Sequence, residues 1–170
     1  LVRNQAVDLK TAAKEKRESV AARVMKLQEI VDQDPTGDHY VIWHHLEYER
    51  EMIEEWAEFN GQQSFHSVYG SQADEVKEKL LIDFARGEYR FLATKPEIAG
   101  QGCNFQRHCH KAVFLGIDYK FNDFIQAVHR IQRFQQPSPC EVHILYTDGE
   151  ENIRKELEAK WQRHHELVSE

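Results

Sequence analysis

Three cysteines (Cys103, Cys109 and Cys140) in 170 residues are too few for the disulfide framework of a small secreted domain, and they fit a reducing, cytoplasmic setting. No apolar run approaches the roughly 20 residues of a membrane-spanning helix. No basic-then-apolar leader opens the chain, so a membrane partner is not expected. Lys and Arg number 22 against 29 Asp and Glu, a net charge of −7, which excludes a protein that coats nucleic acid through bulk positive charge. Also missing are low-complexity tracts, internal repeats, a G-x-x-x-x-G-K-[S/T] loop to cradle phosphates, and an Asp-Glu pair after a strand to hold magnesium. The chain begins at Leu1 and reads as a piece of a longer polypeptide.

What remains is a globular composition, 41% hydrophobic and 30% charged, in a length that makes one domain with a real core. Two periodicities alternate along it. From about Asn4 to Val31, Val20, Val24, Leu27 and Val31 recur at helical spacing. "PTGD" (Pro35 to Asp38) breaks that helix, and "HYVIWH" follows as a short buried strand. Leu46, Ile53 and Trp56 mark the next helix, and "SFHSVY" the second strand. Ser71 and Asp74 have the spacing of a capping box, opening a helix with Ala73, Val76, Leu80 and Phe84 as its buried stripe and Gly87 as its stop. "YRFLAT", "KAVFLGI" and "EVHILYT" supply three more strands. Thr147 and Glu150 repeat the capping spacing before a last helix that carries Ile153, Leu157 and Trp161.

Strands that are nearly all apolar and alternate with helices predict a mainly parallel sheet covered on both faces, an α/β domain. Residues 1–34 are expected to form a helical segment packing on a lobe that spans 35–170. Acidic residues crowd Glu47 to Glu58, expected to be a solvated helix face. Lys95, Arg107, Lys111, Lys120, Arg130 and Arg133 fall mid-chain and leave room for a local basic face.

Two segments carry chemistry. In a parallel sheet, ligands gather beyond the strand carboxyl ends. "TKPEIAGQGCNFQ" (Thr94 to Gln106) leaves the third strand, and Gly100 and Gly102 allow close approach of backbone N–H groups to an anion. "FIQAVHRIQRFQQ" (Phe124 to Gln136) reads as a helix with Phe124, Ala127, Val128 and Ile131 on its apolar face. Gln126, Arg130 and Arg133, at i, i+4 and i+7, are expected to share the opposite face. One amide and two guanidiniums on one face suit a polyphosphate.

Here the sequence resembles a known family. "QAVHRIQRFQQ" is similar to motif VI of superfamily-2 helicases, Gln-x-x-(Gly/His)-Arg-x-x-Arg, and to its SWI/SNF-like form, Gln-Ala-x-x-Arg-x-x-Arg-x-Gly-Gln. "AGQGCNFQ" resembles motif V of that branch, Gly-Gly-x-Gly-x-Asn-Leu, with Ala99 where the first glycine stands. "VYGSQADEVKEKLLIDFARGEYRFLATK" resembles the region between motifs IV and V. The match runs from about Asp38 to Asp148 in the family's order, in the form met in bacterial and phage helicase-like proteins.

The resemblance implies a three-layer RecA-like domain, the second lobe of a two-lobe ATP-dependent motor. Arg130 and Arg133 would be motif VI arginines reaching ATP phosphates, with Gln126 beside them. Gly100, Gly102 and Asn104 would join in ATP binding and couple it to nucleic acid. Thr94, Lys95, Gly70 and Ser71 would contact the nucleic-acid backbone, DNA rather than RNA. ATP and Mg²⁺ would be held mainly by an N-terminal RecA-like lobe, the chief partner, so this chain alone is expected not to hydrolyse ATP. An alternative is a non-catalytic α/β module, binding a nucleotide or a protein, that keeps the fold without the motor.

Other clusters rank lower. Cys103, His108, Cys109 and His110 lack the separated pairs usual for zinc, so no metal site is expected. Cys140 with His129 lacks a third group to make a thiol catalyst.

Overall fold

The computed structural model describes residues 2–99, 103–133 and 136–169. Five parallel strands form one sheet, β1 (His39–Trp43), β2 (Phe65–Ser67), β3 (Phe91–Thr94), β4 (Cys109–Phe114) and β5 (Glu141–Ile144), in the order β2-β3-β1-β4-β5. The helices are α1 (Val2–Asp32), α2 (Glu47–Phe59), α3 (Asp74–Ala85), α4 (Phe121–Val128) and α5 (Glu151–Ser169), the last preceded by a 3₁₀ turn at Asp148–Glu150.

Right-handed crossovers decide which face each helix covers. The step from β1 to β2 runs one way along the sheet and every later step runs the other, so α2 is on one face and α3 and α4 are on the opposite one. Period-two alternation in the strands serves both faces. Tyr40, Ile42, Phe91, Ala93 and Val113 pack against Val20, Val24 and Leu27 of α1 and Ile53 and Trp56 of α2. Val41, Trp43, Leu92, Ala112 and Phe114 pack against Phe84 of α3 and Phe124 and Val128 of α4. The expected three-layer α/β architecture is therefore present, with α1 contributing to the same core as the sheet.

Local expectations differ in three places. The Ser71–Asp74 box does not form, because α3 starts from Ala73. The preceding turn is closed instead by Tyr69 N donating to Gln72 Oε1 at 3.0 Å. Along α3, Leu81 and Phe84 are buried, while Val76, expected in the buried stripe, is 46% exposed. The Thr147–Glu150 box does form, with Thr147 N donating to Glu150 Oε1 at 2.9 Å. Within the acidic run, Glu49 is buried rather than solvated. Gly87 ends α3 as expected, with φ +77, and a Cβ there would meet His108 Cγ at 2.9 Å, a close approach that glycine makes possible.

One polar knot closes the amino end of the sheet. The buried Lys111 ammonium lies 2.8 Å from Asp34 Oδ2 and 3.1 Å from Asp38 Oδ2, and Tyr40 OH donates to Asp34 at 2.6 Å. Burial pushes the Asp34 carboxyl up, but hydrogen bonds from Lys111, Thr36 and Tyr40 outweigh it and hold it well below the usual carboxylate range. A carboxyl depressed in the folded state contributes stability that is full above its unfolded value of about 3.9 and is lost as pH falls toward the folded one. Asp34→Asn is therefore expected to lower stability at neutral pH by about 1–3 kcal/mol, Asp38 still pairing with Lys111. It should also flatten the loss of melting temperature between pH 5 and pH 2.5, read by circular dichroism. A variant whose acid limb matched wild type would remove Asp34 from that role.

Candidate functional site

The segment after α4 holds the two arginines. α4 ends at Val128, and the chain then tightens, Arg130 N donating to Ala127 O at 3.1 Å and Ile131 N to Val128 O at 3.2 Å. The apolar set Phe124, Ala127, Val128 and Ile131 is buried as the periodicity requires. The polar set is not one helical face. Gln126 is exposed on α4, whereas Arg130 is only 4% exposed and Arg133 lies out in the turn, its Nε donating to His129 O at 2.6 Å. A long-range bond holds this turn. Phe105 N donates to Arg130 O at 2.9 Å, and Cys109 N, at the start of β4, donates to Phe105 O at 2.9 Å.

That bond also fixes where the arginines sit. A crossover helix runs antiparallel to its strands, so the residues after α4 return to the amino end of the sheet. Arg130 stands there beside the loop that precedes β4, and the expectation that it lies beyond the strand carboxyl ends does not hold. Burial lowers the Arg130 guanidinium from its ordinary value, and Arg133 adds to the effect. No carboxylate pairs with Arg130 among the described residues. A recessed cation with no acid beside it fits an anion such as a phosphate group.

The loop after β3 runs from the carboxyl end of the sheet to that amino end. Thr94 is fully buried, its Oγ1 donating to Val68 O at 2.9 Å, so the hydroxyl ties β3 to the end of β2. Lys95 Nζ lies 2.9 Å from Glu47 Oε1, and its carbonyl accepts Ile98 N and Ala99 N. Gly100 and Gly102 lie outside the described residues. Asn104 is exposed, next to the buried Phe105. Gly70 and Ser71 are exposed in the loop after β2, Gly70 O accepting Lys77 Nζ at 3.4 Å. One loop thus connects two groups, Thr94, Lys95, Gly70 and Ser71 at the carboxyl end and Asn104, Arg130 and Arg133 toward the other. The local basic face is partly neutralised, since Lys95 pairs with Glu47, and Lys111 with Asp34 and Asp38.

Sequence reasoning missed Arg50 and Tyr69. The Arg50 guanidinium stacks 4.1 Å from the Tyr69 ring centroid and pairs with Glu47 and Glu54. The Arg50–Glu54 spacing was visible, but nothing local connects α2 to the loop after β2. His44, read from the sequence as a surface or second-layer residue at a strand end, is fully buried.

No family model matches the sequence, and no curated protein does. Solved structures do. The C-terminal part of the Fun30 ATPase domain superposes with a TM-score of 0.67 at 16% identity, over 78% of this chain and 44% of that one. The C-terminal domain of the DEAD-box protein Dbp5 gives 0.69 at 15% identity, over 83% of this chain and 79% of that one. The fold is that of a RecA-like helicase C-terminal domain. The Pyrococcus furiosus Hef helicase domain gives 0.55 at 16% identity, the match covering 78% of this chain and 27% of that one. The chain thus spans less than half of the Fun30 and Hef chains, and at these identities the likeness is one of fold. No described helix is long and apolar enough to cross a membrane.

Proposed function

We propose that the chain is the second motor lobe of an ATP-dependent superfamily-2 helicase or translocase of the SWI/SNF-like branch, from a bacterium or a phage, acting on DNA in the cytoplasm. The observation that carries this reading is the Phe105 N to Arg130 O bond. It holds Phe105, at the end of the motif V-like segment, to the motif VI-like turn that carries Arg130. ATP, when bound, supplies the phosphoryl group that is transferred to water. Arg130 supplies a pre-positioned guanidinium for its oxygens, and the exposed Arg133 a second cation toward the opposite lobe. Gln126, Asn104, Gly100 and Gly102 would contribute hydrogen bonds around the nucleotide. Lys95, Gly70 and Ser71 would face the strand, and Thr94 would hold β2 and β3 together beneath them. Magnesium would be held mainly by the partner lobe.

Turnover measurements test this reading. The isolated chain should show only background ATP hydrolysis, and a longer polypeptide joining it to an N-terminal RecA-like lobe should hydrolyse ATP in proportion to added DNA. A two-lobe protein whose turnover ignored nucleic acid would favour the non-catalytic alternative.

A further inference from the structure

Two recessed cations at the carboxyl end of the sheet converge on one accessible carboxylate. Lys95 Nζ is 2.9 Å from Glu47 Oε1, and Arg50 Nε is 2.9 Å from Glu47 Oε2. The Lys95 and Arg50 side chains are 24% and 16% exposed, while that of Glu47 is 54% exposed. Hydrogen bonds from Lys95 and Arg50 bring the Glu47 carboxyl down to about 2, so it stays ionised at any working pH.

The surroundings suit a larger anion. Glu47 is the first residue of α2, where the helix dipole favours negative charge. The Arg50 guanidinium carbon sits 4.1 Å from the ring centroid of Tyr69, which lies in the same loop as Gly70 and Ser71. His44, fully buried, lies within the field of Lys95, Glu47 and Arg50. Burial and the Lys95 charge lower it to about 4, so it is neutral and adds no charge of its own to the cluster. A carboxylate offering one oxygen to each of two cations has the geometry of two oxygens of a phosphodiester.

We infer that Lys95 and Arg50 form a subsite for one backbone phosphate of a bound nucleic-acid strand, and that Glu47 occupies it as an internal competitor until the strand displaces it. This rests on the nucleic-acid reading above and adds to it Arg50 as a ligand and Glu47 as a brake on strand binding. Tyr69 holds the guanidinium in place through a cation–π contact. The competitor makes strand binding weaker than the local cations alone would give, and more selective for strands that approach from the carboxyl end of the sheet.

Fluorescence anisotropy with a short labelled single-stranded oligodeoxynucleotide and its duplex, titrated at several salt concentrations, tests the subsite on this 170-residue chain. Glu47→Gln should tighten binding by roughly three- to tenfold at low salt, as one competing charge is removed. Arg50→Ala should weaken binding and reduce the salt slope by about one phosphate contact, whereas Arg50→Lys keeps the slope. The double variant Glu47→Gln/Arg50→Ala should lose the gain. Glu51→Gln, an exposed change on the same helix, controls for net charge and should leave affinity near wild type. Equal tightening by Glu51→Gln, or unchanged affinity and slope in the Glu47 and Arg50 variants of a chain that binds the probe, overturns the subsite and leaves the nucleic-acid reading intact. If no variant binds either probe at low salt, Glu47→Gln included, both fall. Unchanged circular dichroism spectra certify that each variant is folded.

Discussion

Replacing Arg130 by alanine in a two-lobe protein that carries this chain is expected to lower DNA-stimulated ATP turnover by about 10³–10⁵, the range for loss of an arginine finger. Arg130 is 4% exposed, its carbonyl is pinned by Phe105, and no carboxylate pairs with it among the described residues. A guanidinium kept there carries a desolvation cost that folding alone does not repay. Structural and catalytic roles therefore predict opposite things. If Arg130 served the fold, its removal would lower stability. As a phosphate ligand, its removal should relieve an uncompensated buried charge, so Arg130→Met should melt at or above the wild-type temperature while turnover collapses. Lysine should not rescue, because a point charge does not reproduce the planar fork of the guanidinium. Arg133→Ala should cost less, since that side chain is exposed and already bonded to the His129 carbonyl. The readouts are kcat at saturating DNA and ATP, oligonucleotide affinity, and melting temperature. Arg130→Ala with wild-type turnover, or with activity lost only in step with folding, would sink the assignment.

The same residue shows where sequence reading reaches and where it stops. All five strands are legible, because each is a short apolar run closed by a turn signal, and the order of periods gives a parallel sheet. The extent of α4 is not. Ile131 is buried whether the chain continues as an α-helix or tightens into i−3 bonds, so the apolar period runs on past Val128 unchanged. Past the end of the helix the Arg130 carbonyl is taken by Phe105 N, and no local pattern encodes a partner that distant. The consequence reaches the site, since Gln126, Arg130 and Arg133 share a face only on an ideal helix. Ser71 and Asp74 mislead in the opposite sense. Their spacing is right for a cap, but Gln72 captures the Tyr69 N–H first, and a local side-chain bond of that kind competes directly with capping. Arg50 and Glu47 looked like ordinary members of a charged helix because Lys95 and Tyr69 reach them from other elements.

Glu49 is the clearest case of a residue hidden among its neighbours, and its replacement should have the largest effect on stability. It sits in a run of glutamates on α2 but is 2% exposed. Its Oε1 accepts His45 N at 3.0 Å and Leu46 N at 2.7 Å, and its Oε2 accepts Arg23 Nη1 at 2.9 Å. Arg23, on α1, also donates to the Leu115 carbonyl at the end of β4 and to Ser19 O at 3.3 Å. A Cβ at Gly116 would come within 3.1 Å of Arg23 Nη1, so the strand end is shaped around the guanidinium. One carboxylate therefore joins α1, the first turn of α2 and β4. Glu49→Ala would leave the Arg23 charge recessed without its acid and two backbone N–H groups unpaired, a loss of about 3–5 kcal/mol. Glu49→Gln keeps an acceptor for the N–H groups and should lose only about 1–2 kcal/mol. If the cost lies in the stranded charge, Arg23→Met in the Glu49→Ala background should restore part of the stability, giving a favourable coupling in the double-mutant cycle. Chemical denaturation with an unchanged m-value measures each step. A Glu49→Ala midpoint close to wild type, or strict additivity with Arg23→Met, would show that the pair does not hold these elements. Glu47 and Arg50 lie on the turn that Glu49 secures, so Glu49→Ala should also weaken oligonucleotide binding before the chain unfolds, which connects the stability of α2 to the subsite at its start.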